Sequence, residues 1–300
     1  MTRPAPEMIG GIAKPPLAIL PDPATLFASR SRRFAWLAGS GNLAPYLAFL
    51  GDLSALQDRL LADLPPLPAP DAVTIQQARA ARMPPLDRAA MAADPALDAT
   101  LTALCAGAAG LTMPDPARAA LAAVTAAPPE DRRWLLANVL ADTIPPEAAA
   151  AHLFAAAAVH LHMARAAATL PADQLVVIAT GNCPACGGRP GVSVVTAAQG
   201  IENLRYACCA TCATQWNEVR LKCLSCGSTK GISFRSVEDE NAAIKAETCS
   251  ECGHWLKVMY RTRHASLDPL ADDVASLGLD IAMQSTGLRR AGVNVFTAGW

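Results

Sequence analysis

The sequence predicts an α+β protein with an all-α N-terminal bundle, two tandem rubredoxin-like or zinc-ribbon-like small β modules, and a C-terminal helix. Up to about residue 175, alanine, leucine and proline dominate, and apolar residues recur at helical spacing between prolines. Nine of the ten cysteines follow within 183–252, and eight of these form regularly spaced Cys-x-x-Cys pairs. Short apolar runs with alternating polar residues flank these pairs and favour β-strands.

The N-terminal half predicts a series of helices, most of them opened or closed by a proline or an aspartate. Residues 22–174 are expected to form this α-helical domain, which is long enough for one core. Residues 1–21 are rich in proline and glycine, and we expect a flexible segment there. The predicted helices span 25–37, 43–64, 71–82, 86–92, 95–109, 114–126, 129–141 and 146–169.

The C-terminal half predicts two small β modules, over residues 175–221 and 222–264, and then a C-terminal helix and tail over 265–300. The last helix is expected at about 269–290. Short antiparallel strands are expected in each module. Their apolar or alternating runs lie at 176–178, 192–195, 204–206 and 219–221 in the first module, and at 232–234, 244–246 and 256–260 in the second.

The cysteine pairs form two copies of one pattern. Each copy has 22 residues between its two pairs, and each cysteine of the second copy follows its counterpart by 40 positions. Such a repeat indicates a duplicated four-thiolate metal module. The predicted metal ligands are Cys183, Cys186, Cys209 and Cys212 in the first copy, and Cys223, Cys226, Cys249 and Cys252 in the second.

Elementary chemistry explains the pattern. Two Cys-x-x-Cys turns supply four thiolates for one tetrahedral site, and a module of about 40 residues buries too little apolar surface to fold without such help. The turns favour a residue that takes positive φ, and Gly187, Gly227 and Gly253 stand at the expected places. The matching position of the first copy is Ala213, which departs from the pattern.

Other uses of the cysteines are less favoured. The N-terminus does not resemble a secretory signal, and regular Cys-x-x-Cys pairs without one indicate metal sites over disulfide bridges. A redox-active Cys-x-x-Cys lies at a helix N-terminus in a βαβ unit, a pattern that does not surround these pairs. The residues themselves do not distinguish zinc from iron, since both accept four thiolates.

Charge and hydropathy limit the partners and the compartment. The net charge is −1, which gives no electrostatic footprint for nucleic acid. The apolar stretch 148–170 contains three histidines and an arginine, so we expect a buried helix and no membrane span. We expect a cytoplasmic protein, because a reducing compartment keeps thiolates available for metal.

Several further residues are candidates with two interpretations. Cys208 is either a spare thiol beside Cys209 or a plain neighbour, and Cys105 is expected in the helical core. His254, close to Cys252, is either an alternative ligand or a hydrogen-bond donor to sulfur. Three histidines on the apolar helix are expected to pack or to face solvent rather than to bind metal: His152, His160 and His162.

Two more features receive structural interpretations. The glycines of Gly39-x-Gly41-x-x-Ala44 resemble a dinucleotide fingerprint, but no strand precedes them, so an interhelical turn is predicted. Each module has two Cys-x-x-Cys turns, here called its first and second knuckle. Trp216 and Trp255 follow the second knuckle of their modules, and we expect them to shield the metal sites from water.

Short motifs that belong together occur along nearly the whole chain. They are Leu26-Phe27-x-x-Arg30, Pro45-Tyr46-Leu47-x-Phe49, Cys183-Pro-x-Cys186-Gly, Arg205-Tyr206…Cys209-x-x-Cys212-x-Thr214-x-Trp216, Ala246-Glu247-Thr248-Cys249, Ala271-Asp272-Asp273-Val274-Ala275-x-Leu277 and Asn294-x-Phe296. These motifs resemble the family of the formate dehydrogenase accessory protein FdhE, and the resemblance is specific in the C-terminal half.

The resemblance implies a cytoplasmic protein with a helical domain and two rubredoxin-like modules that can hold iron, so iron is favoured and zinc is the alternative. Such proteins are needed for active formate dehydrogenase, contact its molybdenum- and selenium-dependent catalytic subunit before export, and are not enzymes. The sequence departs from the family at Cys208, where we expect histidine in many members, and at Gln284-Ser285-Thr286, where we expect acidic residues.

The sequence-based hypothesis is therefore an accessory or maturation protein for a respiratory formate dehydrogenase, with no catalytic residues and with the catalytic subunit as partner. The metals either hold a docking surface in shape or provide redox-active iron. A zinc-ribbon nucleic-acid-binding regulator and a rubredoxin-like electron carrier are the alternatives, and homodimerisation is left open.

Overall fold

The computed structural model describes residues 15–39, 41–198, 201–237, 239 and 241–297. Eight helices of the N-terminal half are present where the sequence predicts them, with ends within about three residues of the prediction. They are α1 (Pro23–Leu37), α2 (Ala44–Asp63), α3 (Ala72–Ala81), α4 (Arg88–Met91), α5 (Pro95–Ala108), α6 (Asp115–Ala126), α7 (Pro129–Ala141) and α8 (Ala149–Ala168), the last preceded by a 3₁₀ turn at Pro146–Ala148.

Local chemistry explains where these helices begin. Asp22 accepts a hydrogen bond from the Ala24 amide at 3.1 Å, and Asp71 accepts one from the Thr74 amide at 2.7 Å. Each carboxylate thereby satisfies an amide that lacks a partner within its helix. Proline stands in the first turn of α1, α5 and α7, where a missing N–H costs nothing.

The alanine-rich helix α8 is the centre of the helical domain. It contacts α2, α5, α6 and α7, and nearly every side chain from Phe154 to Ala167 is buried. Small alanine side chains permit this close approach on all sides. The prediction of a buried helix over 148–170 is confirmed, and none of the helices that the structure describes has the length and apolar character needed to span a membrane.

The described residues of the C-terminal half form one sheet, which β1 from near the N-terminus joins at one edge. Both modules repeat the same antiparallel three-strand unit, with Cys209 and Cys249 ending equivalent strands. The strands run in the order β1-β4-β3-β2-β7-β6-β5, with β8 beside β7. They are β1 (Ala18–Ile19), β2 (Pro190–Ala198), β3 (Ile201–Cys209), β4 (Gln215–Glu218), β5 (Ile232–Arg235), β6 (Ile244–Cys249), β7 (His254–Tyr260) and β8 (Arg289–Arg290).

A parallel pairing of β2 with β7 joins the two modules, which the sequence predicts as purely antiparallel units. Ser193 lies opposite Val258, and Val195 lies opposite Tyr260. The centre of this junction is apolar, because Val194 and Met259 are fully buried. The expectation of a flexible segment over 1–21 mostly concerns residues outside the described part, but its end is ordered: Ala18 in β1 pairs with Trp216 in β4.

Two apolar runs that predict strands are irregular. Residues 176–178 lie outside the strands, and so do 219–221 because β4 ends at Glu218. The buried guanidinium of Arg205 explains the second case. It donates hydrogen bonds to the carbonyls of Arg220 and Lys222, and these bonds hold the link between the modules in a non-extended path. Arg205 also pairs with Glu247 of the second module at 2.8 Å.

The predicted helix over 269–290 is wrong in its length and continuity. Two short helices, α9 (Ala271–Ala275) and α10 (Leu277–Gln284), are separated at Ser276, and the chain then forms β8. The Lys257 ammonium donates hydrogen bonds to the carbonyls of Asp273 and Ser276, competing with the helical pattern. Gly287 takes φ +71° and turns the chain toward β8.

Buried charges attach this tail to the helical domain and to the sheet. Arg33 of α1 meets Asp272 at 2.6 Å, and Arg30 meets Asp268 at 3.3 Å. Asp273 contacts Lys257 at 2.9 Å and Arg290 at 2.6 Å. Burial alone would raise the pKa of Asp273, but the two cations hold it below its usual range. The tail therefore depends on fully paired charges.

We expect Asp272→Asn to lower the free energy of unfolding by about 3–5 kcal/mol, because it leaves the Arg33 guanidinium buried without its counter-charge. The side chains of this pair are only 8% and 3% exposed. The control is Asp98→Asn, which breaks the pair with Arg132, where the side chains are 38% and 21% exposed, and which should cost less than about 1 kcal/mol. Urea denaturation followed by circular dichroism measures both, and equal losses would contradict the interpretation.

Candidate metal centres

The first cluster of sulfurs forms where two turns of the first module meet. Cys183 and Cys186 lie in the turn before β2, whereas Cys209 ends β3 and Cys212 follows in the next turn. The four Sγ atoms lie within 4.8 Å of one another. Cys183 and Cys212 are 3.6 Å apart, and Cys186 and Cys209 are 3.5 Å apart.

The second cluster repeats this arrangement 40 residues later. Cys223 and Cys226 precede β5, and Cys249 and Cys252 lie at the turn between β6 and β7. Their four sulfurs also lie within 4.8 Å of one another, with Cys223 and Cys252 at 3.7 Å and Cys226 and Cys249 at 3.8 Å. The eight cysteines predicted as ligands are thus brought together in two groups of four.

The sulfur spacing fits a tetrahedral metal ion. Metal–sulfur bonds of about 2.3 Å place the sulfurs of a tetrahedral site about 3.8 Å apart, close to the observed separations. All ten cysteines are free thiols, so the disulfide alternative finds no support in the geometry. Each cluster is therefore able to hold one metal ion, and its sulfur ligands suit zinc and iron equally.

Backbone amides support the sulfurs from the turns. The amides of Thr211 and Cys212 donate to the Cys209 sulfur at 3.4 Å, and the Ser225 amide donates to the Cys223 sulfur at the same distance. Such hydrogen bonds stabilise the negative charge of a thiolate and adjust the electronic properties of a metal bound to it. The tight turn of a Cys-x-x-Cys knuckle is what brings these amides within reach of the sulfur.

The residue that closes each knuckle takes positive φ, as predicted. Gly187, Gly227 and Gly253 have φ of +74°, +78° and +69°. Ala213 adopts φ +61° at the equivalent position, although its Cβ disfavours this conformation. Ala213 therefore keeps the same turn as glycine does, but at the cost of backbone strain.

Burial makes it costly to form several thiolates at the first site. Burial raises the pKa of the Cys183 thiol well above its usual range. At Cys209 burial acts in the same direction, but hydrogen bonds from the neighbouring thiols outweigh it and lower the pKa well below its usual range. One thiolate is thus readily accommodated, whereas four need a cation among them.

A cation of the helical domain lies beside the first site. A Cβ at Gly188 would lie 2.5 Å from an Arg88 terminal nitrogen and 3.3 Å from the Cys186 sulfur, so the absence of a side chain permits the approach. Arg88 also pairs with Asp142 at 3.0 Å. Burial alone would lower the pKa of Arg88, but Asp142, Cys186 and Cys209 together raise it. The helical domain thereby offsets part of the site's negative charge.

The two sites differ in exposure. All four sulfur-bearing residues of the first site are buried. In the second site Cys226 is exposed and Cys252 is partly exposed. The first site is therefore enclosed between the module and the helical domain, whereas the second is open to solvent on one side.

Cys208 and His254 do not join the clusters. Cys208 faces away from Cys209, as neighbouring strand residues do, and packs among Val192, Val194 and Met259. Burial raises the pKa of its thiol to about 12. His254 directs Nδ1 to the Cys252 carbonyl at 3.0 Å. Neither residue completes or replaces a set of four sulfurs in the described part of the chain.

The other candidates have structural roles. Cys105 is buried in α5, and the turn with Gly41 connects α1 and α2, as predicted. His152 contacts the Ala148 carbonyl at 2.8 Å, and His162 lies 3.9 Å from Asp94. His160 faces the ring of Phe296, and burial, aided by Arg30, lowers its pKa to about 3. Trp216 and Trp255 are buried, although their shielding of the metals stays a prediction.

The residues around the first site were not predictable from the sequence. Arg88, Asp142 and Gly188 lie far apart in the chain and carry no motif of their own. Arg205 and Glu247 belong to the motifs of the family resemblance, but nothing in their spacing predicts that they form a pair between the modules. Only the folded arrangement brings these charges together.

We expect a chelator to remove metal from the loaded protein in two phases, one metal per chain in each. The exposed second site should react first, because the chelator reaches its sulfurs directly. A chromophoric chelator followed by absorbance measures the phases. Cys223→Ser/Cys226→Ser should abolish the fast phase only, and the matched Cys183→Ser/Cys186→Ser only the slow one. A fast phase that survives in the first variant would contradict this order.

The two knuckle positions 213 and 253 permit a reciprocal test. Ala213→Gly should raise the free energy of unfolding by about 1 kcal/mol, and Gly253→Ala should lower it by a similar amount, because only glycine takes positive φ without strain. A Cβ at Gly253 would meet no atom within 4 Å, so strain alone acts there. Chemical denaturation of the metal-loaded protein measures both, and changes of the same sign would refute the argument.

Comparisons with known proteins support one assignment. Sequence models of the FdhE N-terminal, central and C-terminal domains match residues 15–180, 182–220 and 221–297. A protein FdhE homolog of Rhizobium meliloti (strain 1021) is 47% identical over 300 residues, covering 99% of this chain and 98% of the relative. Protein FdhE of Escherichia coli O1:K1 / APEC is 32% identical over 284 residues, covering 94% and 91%.

A solved structure agrees with the sequence comparisons. The crystal structure of the FdhE protein from Pseudomonas aeruginosa superposes with a TM-score of 0.83 at 32% identity, covering 95% of this chain and 99% of that one. Sequence, domain order and fold agree over nearly the full length. The chain belongs to the FdhE family.

Proposed function

We propose that this protein is an accessory or maturation factor for a respiratory formate dehydrogenase, which acts in the cytoplasm by binding the catalytic subunit of that enzyme. The observation that carries the proposal is the match to the FdhE family over nearly the whole chain, including both four-cysteine modules. A role in the formation of active formate dehydrogenase follows from membership of that family.

A non-enzymatic role is consistent with the chemistry of the sites. Four sulfurs close each tetrahedral site, whereas a catalytic zinc site keeps one position for water or substrate. Within the described residues, the only groups of three or more candidate ligands are the two sets of cysteines. The protein then contributes a binding surface and the partner contributes the catalysis.

The eight cysteines would hold two metal ions, with iron favoured and zinc the alternative. A metal bound there supplies cross-links between turns and, if it is iron, a one-electron couple. The chain's own contributions are amide hydrogen bonds to sulfur and, at the first site, the Arg88 guanidinium. A structural role needs only the cross-links, and we favour it for the buried first site.

An open groove of about 730 Å³ lies between α1 and the segment that leads into α9. Trp36 lines it and is 65% exposed, which is unusual for so large an apolar side chain. Arg32 and Arg261 also line the groove, against the single carboxylate of Asp268. This composition suits an acidic segment of the catalytic subunit that places an apolar side chain on Trp36.

A rubredoxin-like electron carrier is the second candidate, and the exposure of Cys226 favours it, because electron transfer needs a site near the surface. It predicts reversible reduction of the iron-loaded protein and electron transfer to a redox enzyme. A nucleic-acid-binding regulator has no supporting observation, since the net charge is −1.

The direct experiment is binding of the purified formate dehydrogenase catalytic subunit to the metal-loaded protein, measured by calorimetry or surface plasmon resonance. A saturable complex supports the proposal. No binding, with both modules metallated, would count against it. Reversible reduction without any complex would favour the electron carrier.

Trp36→Ala should weaken binding of the catalytic subunit by about tenfold or more, because exposed tryptophans at the centre of an interface contribute strongly to affinity. The matched control is Trp134→Ala, which removes another tryptophan, 49% exposed, from α7 outside the groove. The control should change affinity by less than about twofold. The groove is the wrong surface if Trp134→Ala has the larger effect.

A further inference from the structure

A partly enclosed cavity of about 90 Å³ lies where α1, α8, the second knuckle of the first module and the C-terminal tail meet. Its volume exceeds the space needed by a single water molecule several-fold. Cys209, one of the proposed ligands of the first metal, contributes to the wall. Neither the metal sites nor the docking groove explains why this space is present.

Three buried side chains of the wall have polar atoms without a hydrogen-bond partner among the described residues. Arg30, His160 and Thr211 are each 5% exposed and line the cavity. Arg30 gives its Nε–H to Asp268, yet within the described residues its two terminal nitrogens have no hydrogen-bond acceptor.

The same holds for the ring nitrogens of His160, whose ring faces Phe296 at 5.4 Å between centroids, and for the hydroxyl of Thr211. These atoms are not sealed inside the protein, so they open onto the cavity and are free to bond a molecule within it. Three such side chains around one cavity form a site that offers donors to a hydrogen-bond acceptor.

The charges of the wall define what would fit. Arg30 is balanced by Asp268, and Asp273 is balanced by its own cations outside the cavity. Arg261 also lines the cavity and forms no ion pair with the described residues. The side chains of the wall thus have one positive charge in excess, that of Arg261. Cys209 also becomes anionic when metal is bound, so the wall has charge for at most a monoanion and none for a dianion.

We propose that this cavity binds a small monoanionic carboxylate, whose oxygens accept hydrogen bonds from Arg30, Thr211 and His160. Arg30 suits this role, because the planar guanidinium presents paired donors that match the two oxygens of a carboxylate. The ligand would lie against Cys209, so its binding would couple to the environment of the first metal site. The site is independent of the proposed function.

The test uses the full-length, metal-loaded protein and isothermal titration calorimetry with sodium formate and sodium acetate, at ionic strength fixed with sodium chloride. One saturable site per chain, with a concentration-dependent rise of the thermal unfolding midpoint, is expected. Inorganic phosphate should bind at least about tenfold more weakly. Absence of saturable binding by both carboxylates, or equal affinity for phosphate, would overturn the proposal.

Variants locate the bound anion. Thr211→Val should weaken carboxylate binding about fivefold, and Arg30→Lys about tenfold or more, because each removes donors from the cavity. The control is Thr125→Val, the same change on α6, where the hydroxyl donates to the Leu121 carbonyl outside the cavity. It should leave the affinity unchanged.

Thr211→Val tests the location of the anion even if Arg30→Lys does not fold. The substitution breaks no hydrogen bond within the described protein, because the Thr211 hydroxyl has no partner there. Circular dichroism and metal content confirm that the variant is intact. Unchanged affinity in Thr211→Val would place the anion elsewhere and refute the assignment.

Discussion

Negative charge on sulfur is the constraint on which the rest of the structure depends. Four sulfurs lie within 4.8 Å of one another in each module, and the first set is buried. Four thiolates at this spacing repel one another unless a cation lies among them. Each set also brings together two turns: the turn before the first strand of its module (β2 or β5) and the turn after the second strand (β3 or β6). A metal in these sites would therefore fasten the three-strand units that together form the sheet.

Buried ion pairs then connect the sheet to the rest of the chain. Arg88 brings the helical domain to the first sulfur cluster, and Arg205 with Glu247 fixes one module to the other. Asp272 pairs with Arg33 of α1, whereas Asp273 pairs with Lys257 of β7. Because the two partners of each pair come from different parts of the chain, loss of one charge weakens the contact between two elements. The groove beside Trp36 exists only while the tail stays against α1.

Local features were predictable from the sequence, and long-range ones were not. Helix ends follow from proline and aspartate, and the cysteine spacing alone identifies both clusters, because a Cys-x-x-Cys turn is defined by four consecutive residues. The parallel pairing of β2 with β7 and the break at Ser276 escaped prediction. Both depend on partners distant in sequence, such as Lys257, whose ammonium donates hydrogen bonds to two carbonyls of the tail. For the same reason, the position of Arg88 beside the first site was not predictable.

The most direct test of this account is the metal stoichiometry of the protein purified without air, measured by native mass spectrometry with the visible spectrum recorded in parallel. If metal ions fasten both modules, we expect two metal ions per chain, one in a variant that lacks either pair of first-knuckle cysteines, and none when both pairs are replaced. Thiolate-to-iron bands that bleach on reduction would add a redox role, and a colourless protein with two zinc ions would leave a structural one. Disulfide-bonded, metal-free protein with the native fold would contradict the account.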